Sequence, residues 1–489
     1  MTVSQDAQRL LERLTAPIEV GVALLEIFGF CAEHREACWG WIPLGDEQIE
    51  GYPLDKVVSR ARTILRDAFL EERPVEGVAE LLGVRSSLLA IMGSGRISPE
   101  NSAEVVRGLR AIDDALRGFH SARVVGISDS MKAALLRGQL RIGKPLAIID
   151  QFALYPRPAR AKVPERGQGD AGMLLQHVAV IRRVADFEVR LVVHLQDALA
   201  DQTQFKCVGV VPVVHHHGEL EWQSIGATRY RVNEHPSTSD AIKNRVSRAL
   251  DEIASQEAQV VLMPELVSGP KLRSAVAARL RERSSRGEAT PLITLCGTSL
   301  EEVAGGTRNQ AAVLDSEGDI VWTQNKLHAY RFSAEEQSAV GFPLGSAPAD
   351  RQEAIDIAPS ALVIVDLNAN LRVVVLICED LIQAPPHAVA IQQMGVTTVL
   401  APIMDRSPSL RPNTSLPDLG WLEHGALSYI RHPGASTFIA NSGTLVVQNL
   451  DQHWSYAHAF TVPRNAGGWR AVPAEEAGAA PIGWVLDLG

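Results

Sequence analysis

Val373-Val-Val-Leu-Ile-Cys378-Glu-Asp380 is the stretch from which the rest of the chain is read. Its five apolar residues, four of them β-branched, form a run of the kind buried inside a layered sheet, and the run ends on a thiol. Two other apolar runs end the same way: Val260-Val-Leu-Met-Pro-Glu265 on a carboxylate, and Val321-Trp-Thr-Gln-Asn-Lys326 on an ammonium. A base, an oxyanion stabiliser and a nucleophile brought to one edge of one sheet are the parts needed to cleave a carbon–nitrogen bond through a thioester. Taken singly, Cys378 reads as a buried core thiol, Glu265 as a carboxylate near a helix start and Lys326 as a surface lysine. The ordered set, with gaps of 61 and 52 residues, is the informative signal.

The surrounding composition suits such chemistry. At 489 residues the chain is too long for one ordinary core, so two or three domains are expected. Apolar residues make up 46% and charged residues 21%, as in a globular protein, and the net charge of −10 argues against a chain that coats nucleic acid or membrane. The five cysteines, Cys31, Cys38, Cys207, Cys296 and Cys378, form no Cys-x-x-Cys pair, so neither a disulfide framework nor a zinc site is expected. Asp6, Arg9, Glu12 and Arg13 precede any apolar run, unlike a secretory signal, and no apolar stretch reaches membrane-spanning length. The expected location is a cytoplasmic, reducing compartment, where a thiol stays free.

Three segments are expected along the chain. Residues 1–142 read as helical, with Val58, Ala61, Ile64, Leu65 and Phe69 recurring at helical spacing. Residues 143–203 read as a connection carrying a β-hairpin, with strands around Val178 and Val189 and its turn at Ala185-Asp186, preceded by a Pro- and Gly-rich loop from Pro156 to Gly172. Residues 204–489 alternate strands and helices, an α/β pattern with covered sheet faces.

Met263-Pro-Glu265, Asn325-Lys326-Leu-His328 and Ile377-Cys378-Glu-Asp380, in that order, resemble the nitrilase or carbon–nitrogen hydrolase superfamily. Gln393 to Pro402, Trp421 and Phe438-Ile-Ala-Asn441-Ser-Gly443 are similar to its supporting elements, so the resemblance covers about three-fifths of the chain, from Gln204 onward. It implies a four-layer αββα sandwich, to which the N-terminal helical domain would be appended, and a Glu265–Lys326–Cys378 triad without metal or organic cofactor. It also implies an oxyanion contact from the backbone N–H of Glu379, a homodimer or larger homo-oligomer, and a second glutamate supporting the lysine. Glu336, or its neighbour Glu335, is the expected second glutamate; both also read as the first turn of a helix capped by Ser333. The Cys-Glu-Asp run looks more like amidase branches than nitrilases, which points to a small-molecule amide substrate. The stretch from Gln337 to Pro359 departs from the pattern and leaves the pocket shape open.

A competing reading comes from residues 54–116. Val78 to Pro99 resembles a repressor-type helix-turn-helix, with Gly83 at the turn and Arg85, Ser86, Ser87 and Arg96 as contacts to DNA or a partner protein. In that reading the chain is a regulatory protein whose hydrolase-like domain senses a ligand. Against DNA, the supposed recognition helix is mostly apolar: Leu88, Leu89, Ala90, Ile91 and Met92 cannot read base edges. His215-His-His217 reads as a polar loop rather than a metal site, because adjacent extended residues cannot converge on one ion. Gly93-Ser-Gly95 lacks the residues of a phosphate-binding loop.

Overall fold

The computed structural model describes residues 2–39, 57–116, 143–158, 175, 177–199, 202–215, 217–233, 240–304, 306–339, 349–368, 370–383, 386–405, 425–426, 428–429, 434–442, 457–461, 470–473 and 484–487. The architecture is mixed α/β, with several sheets and flanking helices. The chain forms two compact units, and the boundary falls between Ala185 and Asp186. The first unit also takes in residues 368–370 and 389–395.

In the first unit, helices Val3–Thr15, Val20–Glu33, Val57–Leu70, Arg85–Ser94 and Pro99–Ala115 bury Leu14, Leu24, Leu25, Leu65, Leu88, Leu109 and Ile112 in one core. Ala147–Ile148, Phe152–Pro156 and Val178–Arg182 form a three-stranded antiparallel sheet whose Leu154, Val178 and Val180 join that core. Thr2 caps the first helix with a full capping box, and Ser98 caps the last by accepting from the Asn101 N–H.

The expected hairpin is not formed. Val178–Arg182 pairs with Phe152–Pro156, whereas Phe187–Val193 runs parallel to Ser360–Asp366 in another sheet. Asp186, at φ 61°, makes the turn, but the two strands leave it for different units. Local alternation fixes which face of a strand is apolar; it does not choose the neighbour.

The residues of the helix-turn-helix reading are placed as follows. Gly83 does adopt the left-handed conformation, at φ 72°. Ser87, however, is buried, Arg85 is paired with Glu80, and the Arg85–Ser94 helix packs against Val3–Thr15, where the Ser4 hydroxyl donates to the Met92 carbonyl at 3.1 Å. Exposed Ser86 and Arg96 remain, and Arg96 lies beyond the helix, its backbone N–H donating to Ser94 Oγ.

The second unit carries the strands that end in reactive residues. A seven-stranded mixed sheet has the spatial order Arg470–Pro473, Ala457–Thr461, Ser436–Ala440, Thr398–Pro402, Arg372–Val375, Ser360–Asp366 and Phe187–Val193. A six-stranded mixed sheet runs Ile320–Asn325, Gly306–Asp315, Ile293–Val303, Val260–Leu262, Cys207–Val210 and Trp484–Asp487. The sheets are tied through buried Gln324, which accepts from the Val363 N–H at 2.8 Å and donates to the Ala361 carbonyl at 2.9 Å. Helix Asp240–Ser255 buries Ile242, Val246, Leu250 and Ile253, a stripe at helical spacing, and helix Pro270–Ser285 buries Leu272, Val276 and Leu280. Arg372 and Asp366 form a fully buried bidentate pair, at 2.6 and 2.9 Å, across adjacent strands just ahead of the cysteine.

Candidate active site

Three strand ends deliver the expected residues, but from two sheets rather than one. Glu265 and Lys326 follow strands of the six-stranded sheet, and Cys378 follows Arg372–Val375 of the seven-stranded sheet. Glu265 is reached by a sharp departure: the Met263 N–H still donates to Leu295 at 2.9 Å, then Pro264 intervenes and Leu266 turns to φ 55°. Gly297, at φ 68°, lets the neighbouring strand pass beneath; a Cβ there would lie 2.2 Å from the Pro264 carbonyl oxygen. The Glu265 N–H donates to Ile403, a residue beyond the end of strand Thr398–Pro402 in the other sheet.

Lys326 is buried and lies between two carboxylates. Its Nζ donates to Glu265 Oε1 at 2.7 Å and to Glu353 Oε2 at 2.7 Å. Asn309, also buried, repeats the bridge: its Nδ2 donates to Glu265 Oε1 at 2.9 Å and to Glu353 Oε1 at 2.8 Å, while its carbonyl accepts from the Lys326 N–H. Both donors therefore fall on one oxygen of Glu265. The Cys378 thiol lies beside the same carboxylate and favours its charged form.

Cys378 opens a short 3-10 turn, Cys378–Leu381, at φ 49°, a conformation that costs a non-glycine residue free energy and is found where function requires a residue to be presented. The Met404 backbone N–H faces its sulfur. The following helix starts only at His387, so the thiol sits in the turn itself rather than at the helix end. Burial, and then the Glu265 carboxylate, push the thiol well above the usual cysteine range. Burial likewise raises Glu265, against the pull of Lys326. Burial disfavours the Lys326 ammonium, but Glu265 and Glu353 together outweigh it and hold the lysine charged. The resting arrangement is thus a neutral thiol beside a buried carboxylate and a fixed positive charge.

No family model matches the sequence, and no curated protein matches it. Among solved structures the chain is similar to the amidase from Nesterenkonia sp., at 17% identity over 60% of this chain and 94% of that one, with a TM-score of 0.33. It is similar also to a mutant of the Nesterenkonia sp. AN1 amidase solved in complex with butyramide, at 18% identity over 59% and 93% of the two chains and a TM-score of 0.34. A further match is a mutant of that amidase carrying the acetamide moiety of fluoroacetamide on its active site cysteine, at 18% identity, 59% and 93% coverage and a TM-score of 0.34.

The carboxylate that joins Lys326 from the far side is Glu353, not Glu336 or Glu335. Glu336 instead accepts from the Tyr330 hydroxyl at 3.0 Å and from the Ser333 N–H and hydroxyl at 2.9 and 2.8 Å, the helix-capping role that Ser333 also suggested. Glu335 lies one residue earlier in that same first turn, and it is exposed. Glu353 arrives on a short strand, Arg351–Glu353, that pairs in parallel with Arg229–Asn233 and antiparallel with Arg331–Phe332. Its own N–H donates to the Tyr330 carbonyl and its Oε2 accepts from the Tyr330 N–H at 3.2 Å, so the strand aims the carboxylate at the lysine.

Glu379 stands beside the thiol in the 3-10 turn, and its backbone N–H makes no hydrogen bond among the described residues. Trp421, Gly443 and the Gly341 to Gly345 stretch lie outside the described residues, as does His216; His215 uses its backbone N–H on Glu219 at 2.8 Å. Glu353 and Asn309 are the site residues that sequence reasoning missed. Glu353 belongs to the very stretch that departed from the family pattern, and Asn309 stands in an ordinary-looking strand.

Proposed function

We propose that this protein hydrolyses the carbon–nitrogen bond of a small amide through a thioester on Cys378, on a four-layer αββα frame in which its two large sheets face one another. The observation that carries the reading is the buried Lys326 ammonium, gripped by two carboxylates of which one, Glu265, also lies beside the thiol. Four buried titratable groups linked in one cluster are costly to a fold and are retained where their protons are used.

Glu265 takes the thiol proton as sulfur attacks the carbonyl carbon. Removing the proton only during attack suits a thiol whose resting form is neutral. The ammonium of Lys326 has three hydrogens, two of them committed to Glu265 and Glu353, and the third is available to the developing oxyanion together with the Glu379 N–H. Glu265, now protonated, gives its proton to the departing nitrogen as the carbon–nitrogen bond breaks. It then removes a proton from water as the water oxygen attacks the thioester, and passes that proton to sulfur as the carbon–sulfur bond breaks, so that the carboxylic acid leaves and the thiol is restored. Glu353 keeps Lys326 charged and in place throughout. The Cys-Glu-Asp run supports an amide over a nitrile.

No described helix is long and apolar enough to cross a membrane. The reading includes a cytoplasmic location and assembly into a homodimer or larger homo-oligomer. The test is a screen of primary amides, glutamine and N-carbamoyl compounds for ammonia release. Release that disappears in Cys378→Ala, with the melting temperature kept, is the expected result. Release that survives that substitution, or none across the panel, would count against hydrolysis.

A further inference from the structure

Asp380, two residues past the nucleophile, has no place in the chemistry above, yet its carboxylate is fully buried and accepts from two segments at once. The Leu327 N–H reaches both of its oxygens at 3.1 Å, and the His328 N–H and Nδ1 reach Oδ1 at 2.9 and 3.1 Å. These donors belong to the two residues directly after Lys326. From the other side, the Ile377 N–H, immediately before Cys378, donates to Oδ2 at 3.2 Å. His387 then fixes the backbone of Asp380 itself, its Nε2 lying 2.8 Å from the Asp380 carbonyl oxygen; burial keeps this imidazole below the usual histidine range, hence neutral.

We infer that Asp380 is a positioning residue: one carboxylate clamps the segment that carries Lys326 to the strained turn that carries Cys378, and so sets the distance between ammonium and sulfur. The inference rests on the roles proposed above for those two residues. Its physical basis is twofold. The lysine and the cysteine come from different sheets, so sheet hydrogen bonding does not fix their separation. The left-handed conformation of Cys378 must be held by its surroundings, and a charged acceptor bonded to the N–H just before it supplies such a hold. Only an acceptor with no hydrogens of its own satisfies every donor gathered there; an amide would turn an N–H2 toward them.

The experiment compares the full-length protein with Asp380→Asn, and with the milder His328→Ala, which removes one donor and no backbone. Turnover is measured per intact thiol, alongside KM, the melting temperature and the rate at which iodoacetamide alkylates Cys378, with Cys378→Ala as the blank for other thiols. Expected for Asp380→Asn is a fall of about 10- to 100-fold in kcat at nearly unchanged KM, with slower alkylation, since a misplacement of about 1 Å costs rates of that order. His328→Ala is expected to shift both in the same direction by about 3-fold, and it decides the matter should the first variant not fold. A lower melting temperature with kcat per thiol and alkylation rate unchanged would reduce Asp380 to a structural support and overturn the inference. Alkylation needs no substrate, so a wild type inactive on every amide would sink the hydrolytic reading while leaving the clamp to be judged by that rate.

Discussion

Two carboxylates share the Lys326 ammonium, and the protonation of the site follows from that. The negative charge of Glu353 adds to the burial that raises Glu265. Replacing it, Glu353→Gln, therefore lowers the Glu265 pKa. A base works only when deprotonated, so the acid limb of kcat/KM is expected to move to lower pH, while kcat drops because Lys326 loses one of its holders. A pH–rate profile checks this, and an acid limb that stays put or moves upward would show that Glu265 is not the group being titrated. At this scale Glu265, Lys326 and Cys378 were legible because each closes an apolar run with a group that burial makes expensive. Glu353 was not legible. It lies 27 residues beyond the lysine and reaches it on a short strand held between Arg331–Phe332 and Arg229–Asn233, neighbours that its own sequence does not name.

Elements were easier to recognise than to place. Helices Asp240–Ser255 and Pro270–Ser285, and strands Ile293–Val303, Ile320–Asn325 and Thr398–Pro402, realise the alternation of strands and helices expected after Gln204. Their partners were another matter, as the strands on either side of Asp186 demonstrate. At Gly297, strand Ile293–Val303 passes close to the Pro264 carbonyl. Gly297→Ala meets both the steric block and a φ that a Cβ disfavours, so a loss of about 1–3 kcal/mol of stability is expected, with Glu265 displaced. Thermal or urea unfolding together with the rate of ammonia release measures both parts. Unchanged stability and activity would mean that the strand has room to yield.

Among the described residues, one core in the first unit gathers Leu14, Leu24, Leu65 and Leu109, and one in the second gathers Val246, Val261, Leu272 and Cys296. Two cores in two compact units predict more than one cooperative transition. Cys31 lies in the first core and Cys296 in the second, and both are buried free thiols, so urea-dependent labelling reads the units independently. Two distinct labelling midpoints are expected; coincident midpoints would show that the chain unfolds as one cooperative body. By itself the sequence determined which residues are reactive, which runs are apolar and therefore buried, and that helices and strands alternate after Gln204, because side-chain chemistry and apolar period are local properties. Only the tertiary structure decided that thiol and ammonium arrive from different sheets, that Glu353 rather than Glu336 completes the charge balance, and that Val178–Arg182 and Phe187–Val193 part company. Those outcomes depend on which surfaces of equal local quality meet, and that choice is made by the packing of the whole chain.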